Sequence, residues 1–142
     1  MSDRPVRIGL GLVSAGGIAL ASYLTYVHYQ PAALICSIGG GCETVQHSKY
    51  AKAGGIPVAV LGLAAYLAVL VTTLCARVEA AAIGAAIVLA GLAFGVYLIV
   101  IQVAVIDAIC QWCLASDAIL ALLAVASAER LRRATRRPQP AV

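Results

Sequence analysis

The stretch AAIGAAIVLAGLAFGVYLIVIQV, residues 81–103, carries no charged side chain along 23 consecutive positions. About 20 apolar residues are enough for a helix to cross a hydrocarbon core roughly 30 Å thick, so this segment reads as a membrane span. Working outward, three more apolar stretches of similar length lie at about 8–26, 56–76 and 110–128. Composition agrees with that reading. Of the 142 residues, 63% are hydrophobic and 11% charged, and mean hydropathy is +0.98; soluble domains carry about 25% charged residues. The expectation is an all-α, integral membrane four-helix bundle forming a single domain over 1–142, with a long extracytoplasmic loop between helices 1 and 2. Four spans leave no room in this length for a soluble domain.

The arginines set the expected orientation. Arg4 and Arg7 precede the first span, Arg77 separates the second and third, and Arg130, Arg132, Arg133, Arg136 and Arg137 follow the fourth. The opposite side offers only Lys49 and Lys52. Positive residues collect on the cytoplasmic side, which places both termini inside and the loop at 27–55 and the turn near Asp107 outside. Residues 1–7 followed by an apolar run and Ala19-Leu-Ala21 also have the form of a cleaved secretory signal. The run continues through Tyr23, Leu24 and Val27, as a span does. Tyr23, Tyr26, Tyr29 and Trp112 fall near the outer boundary, where amphipathic rings settle. Gly91-Leu-Ala-Phe-Gly95 reads as helix packing inside the bundle rather than a dimer signal. The arginine-rich tail reads as a topology anchor.

Four of the five cysteines form two pairs on the outer side. Cys110-Gln-Trp-Cys113 opens the last span, where three-residue spacing puts both sulfurs on one helix face and the helix dipole favours thiolate. Cys36-Ser-Ile-Gly-Gly-Gly-Cys42 lies in the long loop, and its glycines give a chain that bends easily. Two neighbouring dithiols pass an electron pair by thiol–disulfide exchange; the alternative for the loop pair is a static structural disulfide. A zinc site built from the four cysteines and His47 has unusually wide spacing, so no metal is expected, and His28 and His47 read as solvated residues. Cys75, 18 residues beyond Pro57, lies about 27 Å from the outer face at 1.5 Å per residue. It cannot join the relay and reads as buried packing.

The C-x5-C loop pair, Ser48 six residues after its second cysteine, Gly55-Ile-Pro-Val-Ala-Val-Leu-Gly62 with Tyr66 beyond, and the C-x-x-C opening the last helix together resemble the vitamin K epoxide reductase family. The likeness covers about 36–117 and the four-span layout. It implies a bundle around a quinone with its active face outside the cytoplasm. The bacterial members that this chain resembles sit in the cytoplasmic (inner) membrane, reoxidise a thioredoxin-fold protein that forms disulfides in secreted substrates, and reduce membrane quinone, ubiquinone or menaquinone. Carried onto this sequence, Cys36 exchanges with the partner, Cys42 shuttles to Cys110, and Cys113 faces the quinone. Ser48 matches the family's loop serine or threonine, which implies support of the loop or the quinone site by hydrogen bonding; the alternative is an ordinary loop residue or helix cap. Some relatives carry a fused thioredoxin-like domain; none is expected here, so the partner is expected to be a separate protein.

Two departures bear on the reaction. The chain has no asparagine, whereas epoxide-reducing members use an Asn–Tyr pair, so simple quinone reduction is favoured over epoxide reduction. The position four after the last cysteine, a tyrosine in those members, is Asp117 here. A carboxylate one turn below Cys113 in an apolar helix is a candidate proton relay; the alternative is a group solvated near the interface. Gln102 and Tyr97 are weaker candidates for quinone or interhelical hydrogen bonds. Two other function classes remain open at this point: a cysteine-based membrane metal carrier, and a structural membrane subunit with static disulfides.

Overall fold

Helix α1 (Arg4–Tyr29) begins with a proline in its first turn, where a missing N–H costs nothing, and Arg7 N closes onto Asp3 O at 2.9 Å. A one-turn helix, α2 (Cys42–Gln46), and a 3₁₀ turn at Lys49–Ala51 follow the loop. A hairpin then pairs β1 (Lys52–Ala53) with β2 (Ile56–Pro57), Lys52 opposite Pro57 and Ala53 opposite Ile56. Its turn residues, Gly54 and Gly55, have φ of +60° and +85°, the conformation a tight two-residue hairpin needs and only glycine takes without strain. Helix α3 (Val58–Leu74) runs directly from it. Helix α4 (Val78–Ile101) continues as a π-helical turn at Gln102–Ile106, and α5 (Gln111–Arg136) completes the chain. The computed structural model describes residues 3–30, 34–38 and 40–136; Gly39 of the loop and Arg137 of the tail lie outside them.

The chain is mostly helical, and three of its helices are long and apolar enough to cross a membrane: α1, α4 with its π turn, and α5. The second expected span is shorter than the sequence suggests. Residues 56 and 57 belong to the hairpin and Cys75 is already extended, which leaves α3 with 17 residues. Its C-terminal carbonyls are met by side chains from both neighbours. Arg7 of α1 donates to Thr73 O at 2.7 Å and Leu74 O at 2.6 Å. Arg130 of α5 donates to Thr72 O at 2.9 Å and Cys75 O at 2.5 Å. Helix ends leave up to four carbonyls without partners, and charge-assisted bonds to them are stronger than neutral ones. These arginines, read from sequence only as a topology signal, thus have a structural part as well: Arg130 is buried and closes a helix end. Cys75, expected as buried packing, is exposed and free, because α3 stops one residue before it.

Helix α1 packs on α3 and α5, and α4 packs on the same two. The core between them holds Leu10, Ala21, Tyr66, Val69, Val88 and Leu123. Large apolar side chains such as Leu12, Val71, Leu89 and Val125 point outward instead. A run of outward apolar residues on every long helix is what lipid contact requires and water would penalise. Gly91 and Gly95, the G-x-x-x-G positions, face Leu120 and Asp117 of α5, so this motif serves packing within the chain.

Candidate active site

The site lies where α1 ends and α5 begins. The π turn opens the end of α4, and Asp107 then takes a left-handed conformation, φ 53°, which Asp tolerates better than most residues. Ala108 N returns to Gln102 O at 3.1 Å. This reversal buries Gln102 and aims its side chain at the next segment, where its Oε1 accepts from Cys110 N at 2.8 Å. The carbonyl of Cys110 in turn accepts from Leu114 N at 3.1 Å, so Cys110 stands at the N-terminal cap of α5.

The loop brings the second pair to the same place. Cys36 and Cys42 form a disulfide, whereas Cys110 and Cys113 are free thiols. Cys42 and Cys110 are both fully buried and share one cluster with Val45, against which Cys36, Trp112 and Cys113 pack. Gly41 makes this approach possible. A Cβ there would lie 2.7 Å from Ile109 N and 2.8 Å from Ile109 O, so no other residue fits between the loop and the segment before α5. The glycine run, read from sequence as slack, is at this position a close contact.

Cys110 lies before α5 and thus outside the spanning helix. Its thiol is pulled below the usual thiol range, chiefly by a hydrogen bond from the Cys113 thiol and against the effect of burial. The backbone N–H groups of Cys113 and Trp112 and the Gln46 amide add to the pull. A low-pKa thiol leaves more readily in disulfide exchange, and its thiolate is the attacking form, so the surroundings of Cys110 suit either part.

Beneath the thiols a cavity of about 420 Å³ opens between α1, α3, α4 and α5. Its wall is mainly apolar, with Cys113, Ser48, Tyr66, Gln102, Ser116 and Asp117 supplying polar atoms. Pockets of roughly 300–1,000 Å³ with few polar groups suit small organic ligands. Ser48 has two attachments: its hydroxyl donates to Val45 O at 2.7 Å, and it lines the cavity. Tyr66 is buried, its hydroxyl bonded to Ser116 Oγ at 2.8 Å and Ser116 O at 3.0 Å. Asp117 reaches the wall because Gly95 has no side chain; a Cβ at Gly95 would fall on its carboxylate. Tyr97 is half exposed beside Phe94 and does not line the cavity. Among the described residues, no three His, Cys, Asp or Glu side chains converge as metal ligands would.

The vitamin K epoxide reductase family model matches residues 8–128, nearly the whole described chain. The chain belongs to the vitamin K epoxide reductase family. As a family member it is a membrane protein of thiol–disulfide oxidoreductase chemistry, in a family associated with quinones and thioredoxin-like partners. Several residues at the site carried no sequence signal for their place there. Gln46 meets Cys110, and Gln111 and Trp112 hold the loop, through contacts that only the fold creates. Gln102 was a candidate for hydrogen bonding, but its partner is the Cys110 backbone.

Proposed function

We propose that the protein is a membrane thiol:quinone oxidoreductase that reoxidises a thioredoxin-fold, disulfide-forming partner and passes the electron pair through Cys36/Cys42 and Cys110/Cys113 to membrane quinone. One observation carries the reading: Cys42 of the loop disulfide is buried in one cluster with Cys110, and Cys113 lines the cavity. A partner thiolate attacks Cys36 and breaks its bond to Cys42. The partner's second thiol then displaces Cys36, leaving the partner oxidised and the loop pair reduced. Cys42 next attacks Cys110 of a Cys110–Cys113 disulfide, and Cys36 closes on Cys42. Both electrons now reside on Cys110 and Cys113 as thiols, the distribution found in the structure. Cys113 delivers the pair to quinone, two protons complete the quinol, and the Cys110–Cys113 disulfide is restored.

In this reading all four long helices span a bacterial inner membrane, α3 included. Both termini are cytoplasmic and the cysteines face outward. The arginines that close α3 support it, since Arg7 and Arg130 gather at the end of the bundle away from the cysteines. Ser48 supports the loop and the quinone site, and Asp117 supplies one proton. The test is a reconstituted assay with reduced thioredoxin and a soluble quinone, following quinone absorbance and thiol content together. One quinol per dithiol oxidised is expected; a loop disulfide that stays unchanged while reduced thioredoxin is present would refute the proposal. In the same assay Asp117→Asn should slow quinol formation by roughly a hundredfold, the low end for a lost acid–base group. An unchanged rate across pH would remove Asp117 from the proton path.

A further inference from the structure

The two residues between the thiols, Gln111 and Trp112, point away from the cavity and toward the loop. Gln111 Oε1 accepts from Ile38 N at 2.8 Å and from Ser37 N at 3.2 Å. Trp112 Nε1 donates to Ile35 O at 2.7 Å, and Ile35 N donates to the Tyr23 hydroxyl at 3.2 Å. The Tyr23 and Trp112 rings meet edge to face at 5.2 Å. The segment is therefore pinned on both flanks of Cys36, by side chains from α1 and α5. Cys36 itself is only half-buried, whereas Cys42 is fully buried. An outside thiolate can thus reach the Cys36 sulfur, and Cys42, in the cluster that holds Cys110, becomes the leaving sulfur.

We propose that Gln111 is a positioning residue: its side-chain oxygen holds the Cys36 segment on the head of α5, so that Cys36 stays presented to a protein thiol donor after the loop disulfide opens. This rests on the functional reading above and extends it to recognition of the donor. While Cys36 and Cys42 are bonded, the disulfide itself fixes the segment. Once partner attack breaks that bond, these four hydrogen bonds are what keep Cys36 in place for the partner's second thiol. A large, shape-dependent donor needs that placement, and a small dithiol does not.

The required feature is an acceptor oxygen, so Gln111→Leu removes it and Gln111→Glu keeps it. With reduced thioredoxin as donor, Gln111→Leu should lower kcat roughly tenfold, because the two hydrogen bonds it removes act only after the loop disulfide has opened. Its thioredoxin KM should be unchanged, as should turnover with dithiothreitol, and Gln111→Glu should restore the wild-type kcat. The chain's single tryptophan is Trp112, which gives a readout independent of turnover. On reduction with a phosphine, Trp112 emission should shift to the red in Gln111→Leu and hold steady in wild type and Gln111→Glu. An unchanged thioredoxin kcat in Gln111→Leu, an equal loss with dithiothreitol, or a Gln111→Glu as impaired as the leucine variant would each overturn the proposal. Wild-type protein that oxidises neither donor would instead overturn the functional reading.

Discussion

Cys113→Ser and Cys113→Ala are both expected to abolish quinol formation and to let Cys110 capture Cys42. In the structure Cys110 is a free thiol, buried in one cluster with Cys42 of an intact disulfide. Attack by Cys110 on the Cys42 sulfur forms a Cys42–Cys110 bond and releases Cys36 as a thiolate. No Cys113 thiol is present to resolve it, and alkylation of the freed Cys36 makes the exchange irreversible. Peptide mapping under non-reducing conditions should find the Cys42–Cys110 link together with alkylated Cys36. The two variants should differ in pH dependence. The Cys113 side chain contributes the largest stabilisation of the Cys110 thiolate; serine retains a donor and alanine has none. The link should therefore form at lower pH in Cys113→Ser, and in Cys113→Ala only toward the ordinary thiol range near pH 8.5. Full turnover in either variant, or a link between other cysteines, would break the proposed order of transfer.

The fold was legible where single residues carry large local energies. Long apolar runs announced the helices, and the cysteine spacing announced both pairs. The end of α3 was less legible: its last carbonyls are met by Arg7 and Arg130, 66 and 58 residues from Thr73 and Thr72 respectively. Arginines near span ends signal orientation in any membrane sequence, so their second role leaves no pattern. The hairpin at Lys52–Pro57 was hidden in the same way, since Gly54 and Gly55 signal a loop before they signal a turn type. Of the site, Cys36, Cys42, Cys110, Cys113, Ser48 and Asp117 were named from sequence, and the structure brings them to one end of the helices. Gln46, Gln111 and Gly41 were not, because each acts on a backbone or sulfur atom distant in sequence. The π turn explains why Gln102 appeared as a generic polar residue. Only the widened last turn of α4 and the reversal at Asp107 direct it to Cys110 N.

Gly41→Ala is expected to uncouple the two cysteine pairs while leaving the helices assembled. The added Cβ meets the backbone of Ile109 at both N and O and lies 3.0 Å from the Ala108 side chain. Backbone cannot rotate aside as the end of a long side chain can, so the loop must lift. Cys42 follows Gly41 directly and would leave the cluster it shares with Cys110. Overpacking of this kind costs about 1–3 kcal/mol, which corresponds to a slowing of roughly fivefold to more than a hundredfold if it falls wholly on the exchange step. Formation of the Cys42–Cys110 link in a Gly41→Ala, Cys113→Ser double variant measures that step directly. Thermal unfolding in detergent should move little, because the core holding α1, α3, α4 and α5 together lies elsewhere. Gly16→Ala is the matched control, since a Cβ there meets nothing within 4 Å, and it should leave the link rate unchanged. A Gly41→Ala protein that links Cys42 to Cys110 at the parent rate would mean that the working loop does not rest on Ile109. Transfer would then proceed from a loop position other than the one in which Cys42 is buried beside Cys110.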